Sequence, residues 1–186
     1  MKKWALCLLL LAGLCGCSAE SKELERGLAL RTELLKASEF TFDVEITADY
    51  GDKLHTFTMN CQADGAGNVT FAVTAPETIC GITGKITEEG GVLTFDEVAL
   101  HFELLADGQF SPVTAPWILV KTLRSGYLRS VGQEEDGLRL TIDDSYADNA
   151  LTLDIWLDEQ DLPRRAEILY DSRRILTLWV KNAVLL

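Results

Sequence analysis

Histidine is scarce in this 186-residue chain, with His55 and His101 as the only two. No serine sits in a Gly-x-Ser-x-Gly turn, and neither Cys61 nor Cys80 has a basic neighbour to activate its thiol. A nucleophile–base–acid set is therefore not readable, and both histidines are expected to serve as ordinary strand residues. No glycine-rich loop leads into Lys-Ser/Thr, and no dinucleotide fingerprint is present. Basic charge is also in short supply: 17 Lys and Arg face 29 Asp and Glu, for a net charge of −12. A chain of that sign lacks the basic footprint that nucleic-acid phosphates demand. Metal-binding spacing is missing as well. Asp143, Asp144, Asp148 and Asn149 gather at one turn, and Asp158, Glu159 and Asp161 at another, but neither follows the calcium-loop pattern. Solvated acidic turns are the expectation for both. The sequence thus predicts a protein that is not an enzyme, with no catalytic residues, no cofactor and no metal.

What is present begins at the N-terminus. Lys2 and Lys3 precede an apolar run from Trp4 to Leu14, roughly half the ~20 residues that a membrane-crossing helix needs. A signal peptide over 1–16 is the expectation. Leu14-Cys15-Gly16-Cys17 resembles the bacterial lipobox, with Leu at −3 and a small residue at −1 relative to Cys17. Cys15 does not fit, because Leu14 would then stand at −1. The resemblance implies that Cys17 is alkylated with diacylglycerol and becomes the mature N-terminus, at the outer face of the cytoplasmic membrane. Two acyl chains, at about 0.8 kcal/mol per buried methylene, anchor far more durably than one. An ordinary secretory peptide and an uncleaved anchor helix are the alternatives. Without residues 1–16 the chain keeps 15 basic and all 29 acidic residues, near −14. Anionic lipid would then repel the protein, so the acyl chains must do the anchoring.

Residues 17–21 read as a short lipidated tether, and 22–186 as one domain. Helical periodicity starts near Lys22, with Leu24, Leu28, Leu34 and Leu35 on one stripe and Arg31 inside it, where its stem would be buried and its head in water. From Ser38 the period changes to two. Phe40, Phe42, Val44 and Ile46 alternate with polar residues, and so do Phe57, Met59 and Cys61, then Val69, Phe71 and Val73. Gly51-Asp52 and Asp64–Asn68 supply turns, which makes an antiparallel meander. Further strands are expected at Ile79–Thr87 and Val92–Phe95, while Val98–Leu104 fits strand or loop. Gly81 and Gly84, within the first of these, mark a bulge or a close backbone approach. Ser111-Pro112-Val113-Thr114-Ala115-Pro116 is a helix-start signal for a second helix centred on Leu119 and stopping at Gly126. Strands resume at 127–133, 138–143, 151–158, 166–170 and 175–180. The order is helix, strands, helix, strands: an α+β domain with a large antiparallel sheet. Cys61 and Cys80 fall two strands apart, about 9 to 10 Å at ~4.8 Å per strand, beyond disulfide reach. Two buried free thiols are expected.

This order of elements, closing on "LDEQDLPRRAEILYDSRRILTLWVKNAVL", resembles the LolA/RseB/LppX-like group. The resemblance implies a strongly curved antiparallel sheet, a half-barrel, wrapped around an N-terminal helix and a second helix inserted mid-chain. It further implies either an acyl-chain ligand, lipid or lipoprotein, in the concave face, or an envelope protein partner for a sensor or scaffold. The arginine that locks the closed state of the soluble carriers has no matching position here. Residues expected to line the concave face are Phe42, Val44, Phe57, Met59, Phe71, Val73, Leu153, Ile155, Leu178 and Val180. Alternation alone gives these residues one shared face; packing as solid core against the helices is the competing reading. Arg164, Arg165, Arg173 and Arg174 flank one hairpin and form a candidate headgroup or partner contact, or else guard a strand edge against aggregation. Trp117 falls off the apolar face of the second helix, and Trp179 alternates with Leu178 and Val180; each is a candidate contact if exposed and core if not.

Overall fold

The computed structural model describes residues 17–51, 53–102, 105–106, 109–148 and 150–186, and for 17–21, 105–106 and 109–110 the backbone only. The expected signal peptide, the lipobox residues before Cys17, and Asp52 and Asn149 lie outside the described residues.

The period-two stretches build one eleven-stranded antiparallel sheet. In chain order its strands are β1 (Glu39–Asp49), β2 (Leu54–Asp64), β3 (Val69–Ala75), β4 (Thr83–Thr87), β5 (Gly90–Phe95) and β6 (Val98–Phe102), then β9 (Tyr127–Glu134), β10 (Gly137–Asp143), β11 (Leu151–Leu157), β12 (Pro163–Tyr170) and β13 (Arg173–Leu185). A two-residue pair, β7 (Leu105–Ala106) and β8 (Gln109–Phe110), stands apart. The spatial order is β6-β5-β4-β3-β2-β1-β13-β12-β11-β10-β9, so the first and last strands meet at the centre and β6 and β9 are the edges. The sheet is curved and unclosed, with two helices, as the α+β half-barrel expectation required.

Residues paired across an antiparallel sheet share a face, so the inner face can be followed strand by strand. Phe42, Cys61, Phe71, Gly84, Leu93 and Leu100 form one row from β1 to β6. In the other direction Ile46, Leu178, Ala166, Ile155, Leu140 and Val131 run from β1 to β9. One face therefore presents apolar side chains across all eleven strands.

Helix α1 (Cys17–Lys36) and helix α2 (Ala115–Ser125) cover the central and C-terminal parts of that face. The start of α2 follows its sequence signal, with a short 3₁₀ turn at Pro112–Thr114 before it. Its burial exceeds the amphipathic expectation: eight of its eleven residues, Trp117 among them, are buried. A helix apolar on nearly all sides belongs between layers. Gly126 follows α2, where a Cβ would come within 2.6 to 2.8 Å of Ile142 Cγ2, Thr122 O and Asp143 O.

Three expectations change. α1 begins at Cys17, so the segment read as a tether is helical. Its buried side is Gly27, Leu30 and Leu34, so that of the expected stripe only Leu34 faces the core; Leu24, Leu28 and Leu35 are exposed. The reason is close approach: Gly27 has no side chain, and a Cβ there would lie 2.9 Å from Leu140 Cδ2, so the helix seats itself on Gly27 with Leu30 and Leu34 beside it. Finally, Ile79–Thr87 is not a single strand. A 3₁₀ turn spans Glu77–Ile79, Gly81 turns with φ +90°, and β4 starts only at Thr83. Val98–Phe102, open between strand and loop, is strand β6.

Candidate functional site

All ten residues expected on the concave face are on it, and all are buried, at 0 to 8% exposure. They belong to a continuous core that also takes in Leu119, Val120 and Leu123 of α2 and Leu30 and Leu34 of α1. The ten share one face, as their alternation implied, and are buried in one core with residues of both helices.

The two helices are locked by an exchange of arginines. The last four carbonyls of a helix have no partner within it. Arg124 of α2 donates from Nη1 to Leu34 O of α1 at 2.8 Å, and from Nη2 to Gly65 O of the β2–β3 turn at 2.7 Å. Arg31 of α1 donates from Nε to Leu123 O of α2 at 2.8 Å. Each helix thus supplies a cation to the negative C-terminal end of the other. Partial burial pulls the Arg31 pKa down from its ordinary value. Arg31, an anomaly on the helical wheel, is the link between the helices. At the far side Arg26 pairs with Asp161 of the β11–β12 turn.

Beyond the helices the inner face continues onto β5 and β6, and its character changes. Gly91 pairs with Phe102, Leu93 with Leu100 and Phe95 with Val98. These pairs extend the core rows through Gly84 and Ile86 of β4. Ile86 is fully buried, whereas Phe95, Val98 and Leu100 are 48, 70 and 62% exposed. The floor of this wing is kept low by glycine: Phe71 lies over Gly84, where a Cβ would stand 2.5 Å from its ring, and Phe102 lies over Gly91. Gly84 is thus the close approach that its position in a strand implied. The outcome is an apolar surface, continuous with the core, on the inner face of the sheet and open to solvent. The sequence pattern held the signal in the alternation of Leu93, Phe95, Val98, Leu100 and Phe102, but alternation does not tell whether a helix lies above.

Two grooves border these elements. One, of about 330 Å³, is lined by Leu35, Ala66–Asn68, Glu88, Trp117, Lys121, Arg124 and Ser125. The Lys121 ammonium sits 4.9 Å from the Trp117 ring centroid. The other, of about 460 Å³, runs along the outer face past Thr41, Asn60, Gln62, Thr70 and Asn182. There Asp43 accepts hydrogen bonds from the amides of Asn60 and Asn182.

The four arginines are spread along the β12–β13 hairpin, and two carboxylates, Asp136 and Glu167, are shared among three of them. Arg164 and Arg165 pair with Asp136 at 3.9 and 3.7 Å, and Arg165 and Arg174 share Glu167; Arg173 is exposed beside Gly51. Arg165 is stacked between two tryptophans, its Cζ 4.4 Å from the Trp156 centroid and 5.3 Å from that of Trp179. Trp179 is 41% exposed on the outer face, and Trp156 Nε1 donates to Glu134. Trp117, by contrast, is core.

The acidic turns are occupied with their own hydrogen bonds. Asp143 accepts from Thr152, Asp144 from Leu151 N, and Asp158 from Gln160 N and Leu162 N. Among the described residues no group of His, Cys, Asp and Glu is placed to hold a metal ion. His55 and His101 are both exposed, His55 edge-on to Tyr50. The two thiols are free, but only Cys61 is buried; Cys80, expected inside, is exposed in the turn after the 3₁₀ segment. Burial, then the Asp43 carboxylate, push the Cys61 thiol well above its ordinary pKa.

No protein-family model matches the sequence, and no curated protein matches it. Solved structures do match. A LolA superfamily protein from Nitrosomonas europaea is 10% identical, over 86% of this chain and 93% of that one, with a TM-score of 0.48. A putative outer membrane lipoprotein-sorting protein domain from Vibrio parahaemolyticus is 8% identical, over 89% and 93%, at 0.45. The lipoprotein LppX from Mycobacterium tuberculosis is 11% identical, over 90% and 96%, at 0.43. These are proteins of the group that the order of elements resembles.

Proposed function

We propose that this chain is an extracytoplasmic lipoprotein, anchored through a diacylglyceryl-modified Cys17, that binds an acyl-chain ligand on the uncovered part of its concave face. The observation that carries the reading is the wing of β5 and β6. A sheet face that is core along the rest of its length becomes exposed there, with Phe95, Val98 and Leu100 standing open beside Leu93 and Phe102. Contiguous exposed apolar surface on a soluble fold marks a place where apolar material binds. Acyl chains suit it because recognition needs no charge and the wing presents none: its inner positions are Gly, Leu, Phe and Val. The role is binding rather than catalysis. The lipobox supports export and attachment at the outer face of the cytoplasmic membrane.

A second reading, a sensor or scaffold that contacts an envelope protein, draws support from Trp179, exposed on the outer face and stacked on Arg165. One experiment separates the two. The mature domain is purified from membranes and its bound lipid weighed by native mass spectrometry, alongside Leu100→Asp and Trp179→Ala. Acyl-chain binding predicts lipid on the wild type and Trp179→Ala but not on Leu100→Asp. Lipid-free wild-type protein would reject it and leave the protein-partner reading ahead.

A further inference from the structure

The exposed leucines of α1 are not scattered. At 100° per residue Leu24, Leu28 and Leu35 fall within a stripe about 40° wide that runs along most of the helix, and all three are roughly half exposed. Cys17 is the first residue of this same helix. At about 1.5 Å per residue, Leu24 lies some 10 Å along the axis from it and Leu35 some 27 Å. The segment that the sequence presented as a tether is helix, so no flexible spacer separates the cysteine from the leucine ridge.

We propose that α1 lies against the bilayer surface through Leu24, Leu28 and Leu35, so that the anchor fixes the orientation of the domain and not only its address. This rests on the reading of Cys17 as the lipidated residue. Apolar contact is the mode that the charges permit: helix α1 carries four acidic and four basic residues, and the whole chain stands at −12. That net charge opposes both adsorption on anionic lipid and pairing of two copies through this face. The polar neighbours of the ridge are already satisfied within the protein. Thr32 Oγ1 donates to Leu28 O, and Arg31 to Leu123 O. Lys36, at the end of the helix, pairs with Glu33 on the other side. Leu35 also lines a groove together with Glu88 of the β4–β5 turn.

Spin labelling tests this on the acylated protein in phosphatidylcholine vesicles. In a Cys80→Ser background, with Cys61 buried, nitroxides are placed by Leu24→Cys, Leu28→Cys and Leu35→Cys. Glu25→Cys, Ala29→Cys and Glu33→Cys, exposed and 60° or more around the helix from every ridge leucine, are the controls. The expected result is that ridge labels become several-fold less accessible to a nickel chelate and more accessible to oxygen on vesicle binding, while control labels do not change. Equal nickel access at all six positions overturns the proposal. Ridge protection that is also present in vesicle-free Cys17→Ser protein overturns it in favour of a protein contact. If the wild type and Cys17→Ser bind vesicles equally poorly, the anchoring reading itself fails, and the orientation falls with it.

Discussion

Replacing Leu178 and Leu100 by alanine, one at a time, separates the covered part of the concave face from the open part. Leu178 is fully buried, paired with Ile46 on one side and Ala166 on the other beneath the helices. Removing three carbons from such a site loses their transfer energy and leaves a cavity, so Leu178→Ala should cost about 2–5 kcal/mol. Total stabilities are only about 5–15 kcal/mol, so this is a large fraction of the whole. Leu100 keeps 62% of its surface in water. With about 1.5–3 kcal/mol for full burial of a leucine, the remaining third or so is worth roughly 0.5–1 kcal/mol, and the alanine change less. Urea unfolding followed by tryptophan fluorescence reads both. Leu178→Ala should lower the midpoint strongly with an unchanged slope, and Leu100→Ala should scarcely move it. A Leu178→Ala cost under about 1 kcal/mol would mean that the face beneath the helices is loosely filled, as a cavity would be. A Leu100→Ala cost matching that of Leu178→Ala would mean that the wing is covered, and the ligand surface described above would not exist.

Other outcomes follow from individual contacts. In protein produced without residues 1–16 and carrying Cys17→Ser, one thiol should react rapidly with an aromatic disulfide reagent near pH 8, and Cys80→Ser should abolish that reaction. Cys61, buried and with its pKa pushed up, should react only on unfolding. Arg124→Ala leaves Leu34 O and Gly65 O without their donor and should cost about 2 kcal/mol by urea unfolding, whereas an exposed arginine such as Arg173 should cost little. Asp64 meets opposing influences. Burial raises its pKa, but hydrogen bonds from the Asn68 side chain and from the Asn68 and Ala66 amides outweigh burial and hold it below the usual 3.8. A depressed carboxylate stabilises the fold above its unfolded pKa, and that contribution is lost as pH falls through the folded one. Acid titration by NMR should place Asp64 below 3.8, and Asp64→Ala should flatten the stability change below about pH 4.

The sheet was legible because its rule is local. Phe40, Phe42, Val44 and Ile46 alternate with polar residues, and every inner strand repeats the device, so the shared face could be read before any pairing was known. The second helix was legible for a similar reason, from two prolines and a Ser-Thr start. What stayed hidden depends on distance in sequence. The seat of α1 is decided by Gly27 against Leu140, 113 residues away, and the helical wheel gives weight to leucines instead. Trp117 is buried because it joins the core shared by both helices and the sheet, which its own helix does not reveal. The sequence does not show that Asp136 and Glu167 stand beside three of the four arginines and offset half of their charge. The apolar wing was half legible: its residues alternate like any core strand, and only the structure shows that Phe95, Val98 and Leu100 are exposed, with no described helix residue in a core with them.

The most direct measurement is photocrosslinking with a diazirine-bearing fatty acid, followed by peptide mapping on the mature protein. The account predicts saturable labelling, competed by unlabelled fatty acid, on the peptide spanning residues 93–102 and lost in Leu100→Asp. Labelling that does not saturate, or that maps away from β5 and β6, would contradict it.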